Sequence, residues 1–199
     1  MIEQKLLDSG ISLIAGVDEA GRGACAGPLV IAALILKDLR DSDLSQVNDS
    51  KLLSPKERER LYEVVLKNSL SHSIIEVSPE EIDRRGLHKS NIEGMRRAIN
   101  ALDVSPEYVL TDGYEVPGIA LPSLAVWKGD QVALCISAAS ILAKVYRDRL
   151  MNVLDEEYPG YGFAEHKGYV TKIHSDAMKR LGITPVHRKS YSNVAKLIQ

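Results

Sequence analysis

The chain has few cysteines, few aromatic residues and no long apolar run. Cys25 and Cys135 are its only cysteines, which excludes a disulfide framework and favours a reducing compartment. Aromatic residues make up 5%, so aliphatic side chains must fill the core. The longest apolar run, residues 28–36, is far shorter than the roughly 20 residues of a membrane-spanning helix. With no signal peptide recognisable at the N-terminus, we expect a cytoplasmic protein without membrane association.

The chain as a whole has no excess of positive charge, but one region near its end does. The net charge is −2, which lowers the expectation of a simple nucleic-acid-binding protein. From residue 163 onward there are only two acids, Glu165 and Asp176. The bases in that stretch are Lys167, Lys172, Lys179, Arg180, Arg188, Lys189 and Lys196, with His166, His174 and His187. This distribution suits a metal site in one place and a phosphate-binding surface in another, or it is an ordinary solvated face.

The hydrophobic pattern predicts five strands separated by helices. The strands are predicted at residues 11–17, 29–36, 73–77, 108–110 and, as an edge strand containing Pro122, 119–127. Capping patterns predict helices that start after Ser54, Ser78 and Ser90. Further helices are predicted at 137–155 and 171–181, and a polar loop at 38–49. The order predicts a single-domain α/β sandwich with a mixed sheet.

Acidic residues follow two of the predicted strands. Asp18 and Glu19 come after the first apolar strand, and Asp112 ends the fourth. If these strands are parallel neighbours, Asp18 and Asp112 lie within reach of one metal, and Asp130 could be a fourth ligand. Carboxylates without matched Cys or His suit Mg²⁺ or Mn²⁺, and two such ions can support phosphodiester cleavage. On spacing alone, scattered surface acids explain the same pattern.

A glycine-rich tripeptide directly follows the acids. The exposed amides of Gly21, Arg22 and Gly23 could bind a hydroxyl or phosphate oxygen, and the Arg22 side chain could add a phosphate contact. An ordinary turn is the alternative for the tripeptide by itself. Its spacing is wrong for a dinucleotide-binding fingerprint.

Seven segments, taken in order, resemble the type 2 ribonucleases H, the bacterial ribonuclease HII group. The most specific is the segment 15–23, Ala-Gly-Val-Asp-Glu-Ala-Gly-Arg-Gly. The others are 48–54, Asp112-Gly113, Lys128-Gly129-Asp130, 137–149, 161–169 and 187–191. The resemblance covers nearly the whole chain, although Ala24-Cys25-Ala26 and Val170 depart from what is common in relatives.

The resemblance implies a ribonuclease H-like fold, a five-stranded mixed sheet with helices on both sides and a helical C-terminal part. Residues 1–199 would form one catalytic domain, with 158–199 as the basic helical part. The implied substrates are RNA–DNA hybrids and duplex DNA that contains single ribonucleotides. The implied reaction is a two-metal-ion cut 5′ of the ribonucleotide that leaves a 5′-phosphate and a 3′-hydroxyl. It also implies a monomer that acts in ribonucleotide repair and primer removal.

Site residues follow from the same resemblance. The Mn²⁺ or Mg²⁺ ligands, and hence the catalytic residues, would be Asp18, Glu19, Asp112 and Asp130. The Gly21-Arg22-Gly23 backbone would read the ribose 2′-hydroxyl, and Tyr169 would pack against the following sugar and favour deoxyribose. Lys51 either contacts phosphate or is solvated.

Several alternatives stay open at this point. Lys144 and Asp148 share a helix face and either serve the site or form only an intrahelical ion pair. A type 3 ribonuclease H would cut hybrid tracts but not isolated ribonucleotides; we disfavour it because only about ten residues precede the first predicted strand, where that group has a long extension. A silent nucleic-acid-binding module is disfavoured because clustered carboxylates repel phosphate. The basic C-terminal stretch weighs against a small-molecule metalloenzyme.

Overall fold

The structure, a computed structural model, describes residues 2–47 and 53–198. Five strands form one sheet: β1 (Ile14–Ala20), β2 (Leu29–Leu36), β3 (Ser69–Val77), β4 (Tyr108–Asp112) and β5 (Ser123–Val126). The helices are α1 (Ile2–Asp8), α2 (Pro55–Asn68), α3 (Pro79–Arg85), α4 (Leu87–Asn100), α5 (Gly129–Val132), α6 (Leu134–Glu157), α7 (Phe163–His166), α8 (Lys172–Leu181) and α9 (Ser192–Ala195). Within the described ranges, every helix is too short or too polar to traverse a lipid bilayer.

The sheet is mixed, with strand order β3-β2-β1-β4-β5. β1 pairs antiparallel with β2, and β2 pairs antiparallel with β3. On the other side of β1, strands β4 and β5 run parallel to it. The predicted five-stranded mixed sheet is therefore confirmed, and the strand that follows Pro122 lies at the edge. The parallel pairing of β1 with β4 brings the carboxyl ends of two acid-bearing strands together.

Helices cover both faces of the sheet. Alternate residues of β2 face opposite ways: Val30, Ala32 and Leu34 pack with α2 and α6. Leu29, Ile31 and Ala33 pack with α3 and α4 on the other face. Such a strand is buried throughout, which explains its uninterrupted aliphatic sequence.

The long helix α6 lies directly on β1 because Gly16 has no side chain. A Cβ at Gly16 would stand 2.2 Å from the backbone carbonyl of Cys135 at the start of α6. Only glycine permits this approach. The contact sets the depth at which α6 presents Ser140 and Lys144 beside the acidic end of β1.

The C-terminal helices pack as a small unit against the end of α6. Their core contains Tyr161, Phe163 and Met178, together with Met151 of α6 and Cys25 of the β1–β2 connection. The predicted helical C-terminal part is confirmed. Its attachment to the β1–β2 connection brings Tyr169 next to the glycine-rich loop.

Some predicted boundaries were wrong. β1 starts at Ile14 and continues through both acids to Ala20, so these residues belong to the strand rather than following it. β3 starts at Ser69, not 73; its inward positions there are small serines, which lack an apolar signal. Ser90 is not a cap, because α4 starts at Leu87 after Gly86 and the Ser90 hydroxyl donates to the Glu81 carbonyl from within the helix.

Other boundary differences are smaller. The polar stretch predicted as a loop contains a 3-10 helix over Ser42–Gln46. The long helix spans Leu134–Glu157, beyond the predicted 137–155 at both ends. The caps at Ser54 and Ser78 are confirmed; Ser54 and Glu57 form a capping box, and Thr171 and Gly182 bound α8.

Candidate active site

A cavity of about 450 Å³ opens at the carboxyl ends of β1 and β4. Asp18, Glu19 and Asp112 line it. The remaining lining residues are Ala20, Gly21, Arg22, Gly23, Arg58, Ser140, Lys144 and Tyr169. One cavity thus contains three of the four predicted acids, the glycine-rich loop and the predicted sugar-facing tyrosine.

Asp18 and Glu19 approach the cavity from opposite faces of the sheet. As neighbours in a strand they alternate: Asp18 lies beside Ser140 of α6, and Glu19 lies beside the buried Asn91 of α4. The Asp18 carboxylate also accepts the backbone N–H of Glu19 at 2.7 Å. Two helices on opposite layers therefore hold the adjacent carboxylates at one end of the sheet.

Burial and mutual repulsion make these carboxylates poor anions. Burial, then the charges of Glu19 and Asp112, raises the pKa of Asp18 well above its ordinary value. Burial also raises the pKa of Glu19, to about 7, although the nearby Arg22 charge opposes the shift. Only about a tenth of the Glu19 side chain is exposed. A divalent cation would neutralise this concentration of negative charge, and its oxygen donors suit a hard ion.

Asp112 and Asp130 are linked through the backbone of α5. The Gly129 N–H donates to Asp112 Oδ1 at 2.7 Å, which orients that carboxylate. Asp130 follows directly, is fully buried, and does not line the cavity. Among residues 2–47 and 53–198, no three His, Cys, Asp or Glu side chains stand in an arrangement that could hold an ion. The roles of all four acids as metal ligands stay predictions.

Two buried arginines hold the glycine-rich loop in place. Arg147 of α6 donates to the carbonyls of Pro28 and Lys167 at 2.9 Å and of Ala26 at 3.1 Å. A Cβ at Gly21, whose φ is +94°, would stand 2.0 Å from Arg147 Nε. Arg188 donates to the carbonyls of Gly27 and Arg22. Arg188 thus binds the glycine-rich loop directly, and Arg147 lies against Gly21 and binds the chain that follows the loop.

The Arg22 side chain is partly exposed and contacts one of the acids. It lies 3.5 Å from the Glu19 carboxylate, and it stacks over and donates to Tyr114. Its backbone carbonyl accepts from the Tyr191 hydroxyl at 2.6 Å. Arg22 therefore lies at the cavity, but its guanidinium is already engaged by protein groups.

Tyr169 lines the cavity directly beside the glycine-rich loop. A Cβ at Gly23 would lie 3.4 Å from Tyr169 Cε1, and 40% of the residue is exposed. The preceding carbonyl, of Gly168, accepts from the N–H groups of Cys25 and Ala26 at 2.9 and 3.3 Å. The tyrosine and the loop are therefore one connected structure with an open aromatic face.

Of the three lysines considered for the site or for phosphate binding, only one lines the cavity among the described residues. Lys144 lines the cavity and also forms the expected intrahelical pair with Asp148, at 2.5 Å. Lys167 contacts Asn152 on α6. Lys51 lies outside the described residues.

Sequence reasoning missed Asn91, Tyr114 and Arg58. Asn91 follows Ser90, which was taken for a helix cap. Asn91 was therefore assigned to a helix start, and its burial beside Glu19 was not predicted. Tyr114 stands one residue after the Asp112-Gly113 motif and contacts Arg22 across the cavity wall. Arg58 lies in the first turns of α2 and had no local signal.

The sequence matches a family model, described as Ribonuclease HII, over residues 15–194. The chain belongs to the ribonuclease HII family. A ribonuclease HII of Corynebacterium jeikeium is 57% identical over 195 residues, covering 98% of this chain and 94% of that protein. One from Mycobacterium avium is 54% identical over 196 residues, covering 98% and 85%.

Solved structures of ribonucleases HII share the fold. Ribonuclease H2 from Pyrococcus horikoshii aligns with a TM-score of 0.81 and 30% identity, covering 92% of this chain and 96% of that one. Ribonuclease HII from Archaeoglobus fulgidus, solved in complex with PCNA, aligns at 0.78 and 29% identity, covering 90% and 95%. A ribonuclease HIII, Bst-RNase HIII, aligns at 0.78 with 19% identity, a likeness of fold.

Ribonuclease HII membership confirms the predicted family, fold class and enzyme class. The protein is a metal-dependent endonuclease that hydrolyses RNA in RNA–DNA hybrids, by the two-metal-ion reaction that leaves a 5′-phosphate and a 3′-hydroxyl. The cavity at the ends of β1 and β4 brings together three of the predicted site carboxylates.

Proposed function

We propose that the cavity cuts 5′ of a ribonucleotide, including a single one in duplex DNA, with Mg²⁺ or Mn²⁺ held by Asp18, Glu19, Asp112 and Asp130. The observation that supports this most is the convergence of three mutually repelling carboxylates, one buried and two partly buried, beside the glycine-rich loop. When bound, the two cations supply an activated water and neutralise the leaving oxygen. Mutual repulsion among the carboxylates favours cation entry over the empty state.

The protein's own groups would select the substrate. The backbone amides of Gly21, Arg22 and Gly23, held by the buried arginines, would hydrogen-bond the 2′-hydroxyl, the group that separates RNA from DNA. Tyr169 would pack against the sugar on the 3′ side, where an added 2′-hydroxyl would crowd the ring. Together they would favour a ribose followed by a deoxyribose.

Cations around the cavity would bind the duplex backbone. Lys144 and Arg58 line the cavity, and Lys51 precedes α2 in the sequence. Phosphate contacts of this kind give affinity without sequence preference. We further propose that residues 1–199 act as a monomeric catalytic domain in the cytoplasm, where its two buried, unpaired thiols would remain reduced.

The test uses a labelled DNA duplex with one ribonucleotide, with Mg²⁺ or Mn²⁺. We expect a cut on the 5′ side of that ribonucleotide, abolished by chelator. Asp18→Asn should lower the rate more than about 100-fold, since altering groups that merely support metal ligands already costs 10–100-fold. Asp176→Asn, an exposed acid on α8, is the matched control and should leave the rate unchanged.

Two outcomes would contradict parts of the proposal. Cleavage of a long RNA–DNA hybrid without a cut at the single ribonucleotide would refute the junction specificity and indicate type 3 behaviour. Full activity of Asp18→Asn would refute the assignment of the carboxylates.

A further inference from the structure

Beneath Tyr169 lies a chain of two buried histidines. Its backbone carbonyl is 3.0 Å from Nδ1 of His174, and Nε2 of His174 is 3.0 Å from Nε2 of His187. Both rings are at most 1% exposed. Nδ1 of His187 is 2.9 Å from the backbone N–H of Thr184. The chain thus begins at one backbone amide and ends at the backbone of the sugar-facing residue.

The hydrogen-bond partners assign every proton in this chain. Nδ1 of His187 lies 2.9 Å from both the N–H and the hydroxyl of Thr184. The N–H can only donate, so Nδ1 is an acceptor, the hydroxyl donates to it as well, and the proton of His187 is on Nε2. That proton points at Nε2 of His174, which must accept it. His174 therefore carries its own proton on Nδ1 and donates it to the Tyr169 carbonyl. When both rings are neutral, the three hydrogen bonds can all form only if each donates toward Tyr169: from Thr184 to His187, from His187 to His174, and from His174 to the Tyr169 carbonyl.

The surroundings keep both rings neutral. Burial lowers the pKa of His174, and burial with the neighbouring His174 lowers that of His187 to about 4. His166 stacks on His174 with ring centroids 4.4 Å apart, and the Cys25 thiol lies 3.7 Å from His174. His166 also accepts the Gly168 N–H at 3.2 Å. The peptide between Lys167 and Gly168, one residue before Tyr169, is thus held by a third histidine.

We propose that His174 and His187 are positioning residues for Tyr169, and that the hydrogen bond from His174 to the Tyr169 carbonyl, oriented by His187, sets the preference for deoxyribose 3′ of the cut. The inference rests on the proposed role of Tyr169. The carboxylates stand on β1 and β4 and do not touch this pair. Loss of the bond should therefore change sugar discrimination while cleavage of an all-RNA hybrid strand continues.

Two substitutions at one position separate positioning from packing. His174→Asn puts an amide N–H near the place of Nδ1 and can still donate to Tyr169. His174→Gln puts polar atoms near the place of Nε2 and loses that donor. The readout is the ratio of kcat/KM on a duplex with one ribonucleotide to kcat/KM on an RNA–DNA hybrid. We expect His174→Gln to lower the ratio about three- to tenfold, the effect of one lost hydrogen bond, and His174→Asn to preserve it.

Equal effects of the two variants, or a larger effect of His174→Asn, would overturn the proposal. Tyr169→Ala separates it from the proposed function. If Tyr169→Ala lowers the ratio and His174→Gln does not, the histidine pair is refuted and the role of Tyr169 stands. If Tyr169→Ala leaves the ratio unchanged, the role of Tyr169 itself is refuted.

A measurement on the unaltered protein covers the case in which a variant does not fold. Long-range ¹H–¹⁵N correlation spectra distinguish the two neutral histidine tautomers and the imidazolium. We expect the Nδ1–H tautomer for His174 and the Nε2–H tautomer for His187 at neutral pH. The opposite tautomer, or a protonated ring, at either position would overturn the arrangement.

Discussion

Glu19→Gln should stabilise the metal-free protein while abolishing its nuclease activity. The carboxylate is buried beside Asp18 and Asp112, and its pKa is raised from 4.5 to about 7. A shift of that size means that ionised Glu19 opposes folding by about 3 kcal/mol above pH 7. Glutamine keeps the shape without the charge. It gives up the contact with Arg22, which is partly exposed and contributes at most about 1 kcal/mol.

Without metal, Glu19→Gln should therefore raise the free energy of unfolding by about 2–3 kcal/mol at pH 8, or Tm by about 5–10 °C for a chain of this size. Between pH 4.5 and 7 the folded protein retains a proton on Glu19 that the unfolded chain has lost. Wild-type stability accordingly falls as pH rises through that window. The gain should shrink to below about 1 kcal/mol at pH 5.

Urea denaturation at pH 5 and pH 8, in chelator and in saturating Mg²⁺, measures the effect. Magnesium should stabilise the wild type more than the variant, because it binds the native carboxylate. Glu165→Gln, an exposed acid on α7, is the control and should change stability by less than about 0.5 kcal/mol. A variant that is no more stable than wild type at pH 8 in chelator, or equally stabilised at both pH values, would refute the reasoning.

Two further outcomes are expected. Metal affinity should increase as pH rises to about 7 and above, because Asp18 and Glu19 must lose protons to bind a cation. Calorimetry of metal binding in buffers of different ionisation enthalpy should detect the released protons. A pH-independent affinity would contradict this prediction. Arg147→Met should destabilise the protein by about 3 kcal/mol or more, since it leaves three buried carbonyls without a donor. Arg149→Met, on the exposed face of the same helix, should cost less than about 1 kcal/mol in urea denaturation, and equal effects would contradict the role of the buried cation.

The parts of the site that sequence reasoning reached are those encoded in short segments. An apolar strand that ends in acids is visible locally, and the parallel pairing that joins Asp18 to Asp112 follows from the rule for open α/β sheets. The buried strand β2 was predicted with its observed bounds because its pattern needs no tertiary context. The helix caps at Ser54 and Ser78 were predicted for the same reason.

The parts that it missed depend on contacts between distant segments. Asn91 and Glu19 meet because α4 covers one face of β1, which nothing near Asn91 in the sequence indicates. Arg188 was counted among the bases of the C-terminal stretch, and no role was predicted for Arg147, yet both are buried and donate to carbonyls of the β1–β2 connection. The segment that starts at Ser90 has the residue types of a helix cap. The helix already begins after Gly86, so Ser90 lies inside it and the capping pattern predicted the start too late.

The contact between Gly16 and the start of α6 also bears on when activity arises during synthesis. β1, β2 and β3 pair locally and can form early, but α6 leaves the ribosome more than a hundred residues after β1. At roughly 5–20 residues per second, that delay is on the order of ten seconds. Until then no helix covers the α6 face of β1, and Asp18 has no Ser140 beside it. We therefore expect that a nascent chain cannot cut RNA, and that nuclease activity appears only after α6 has been synthesised and has packed on β1.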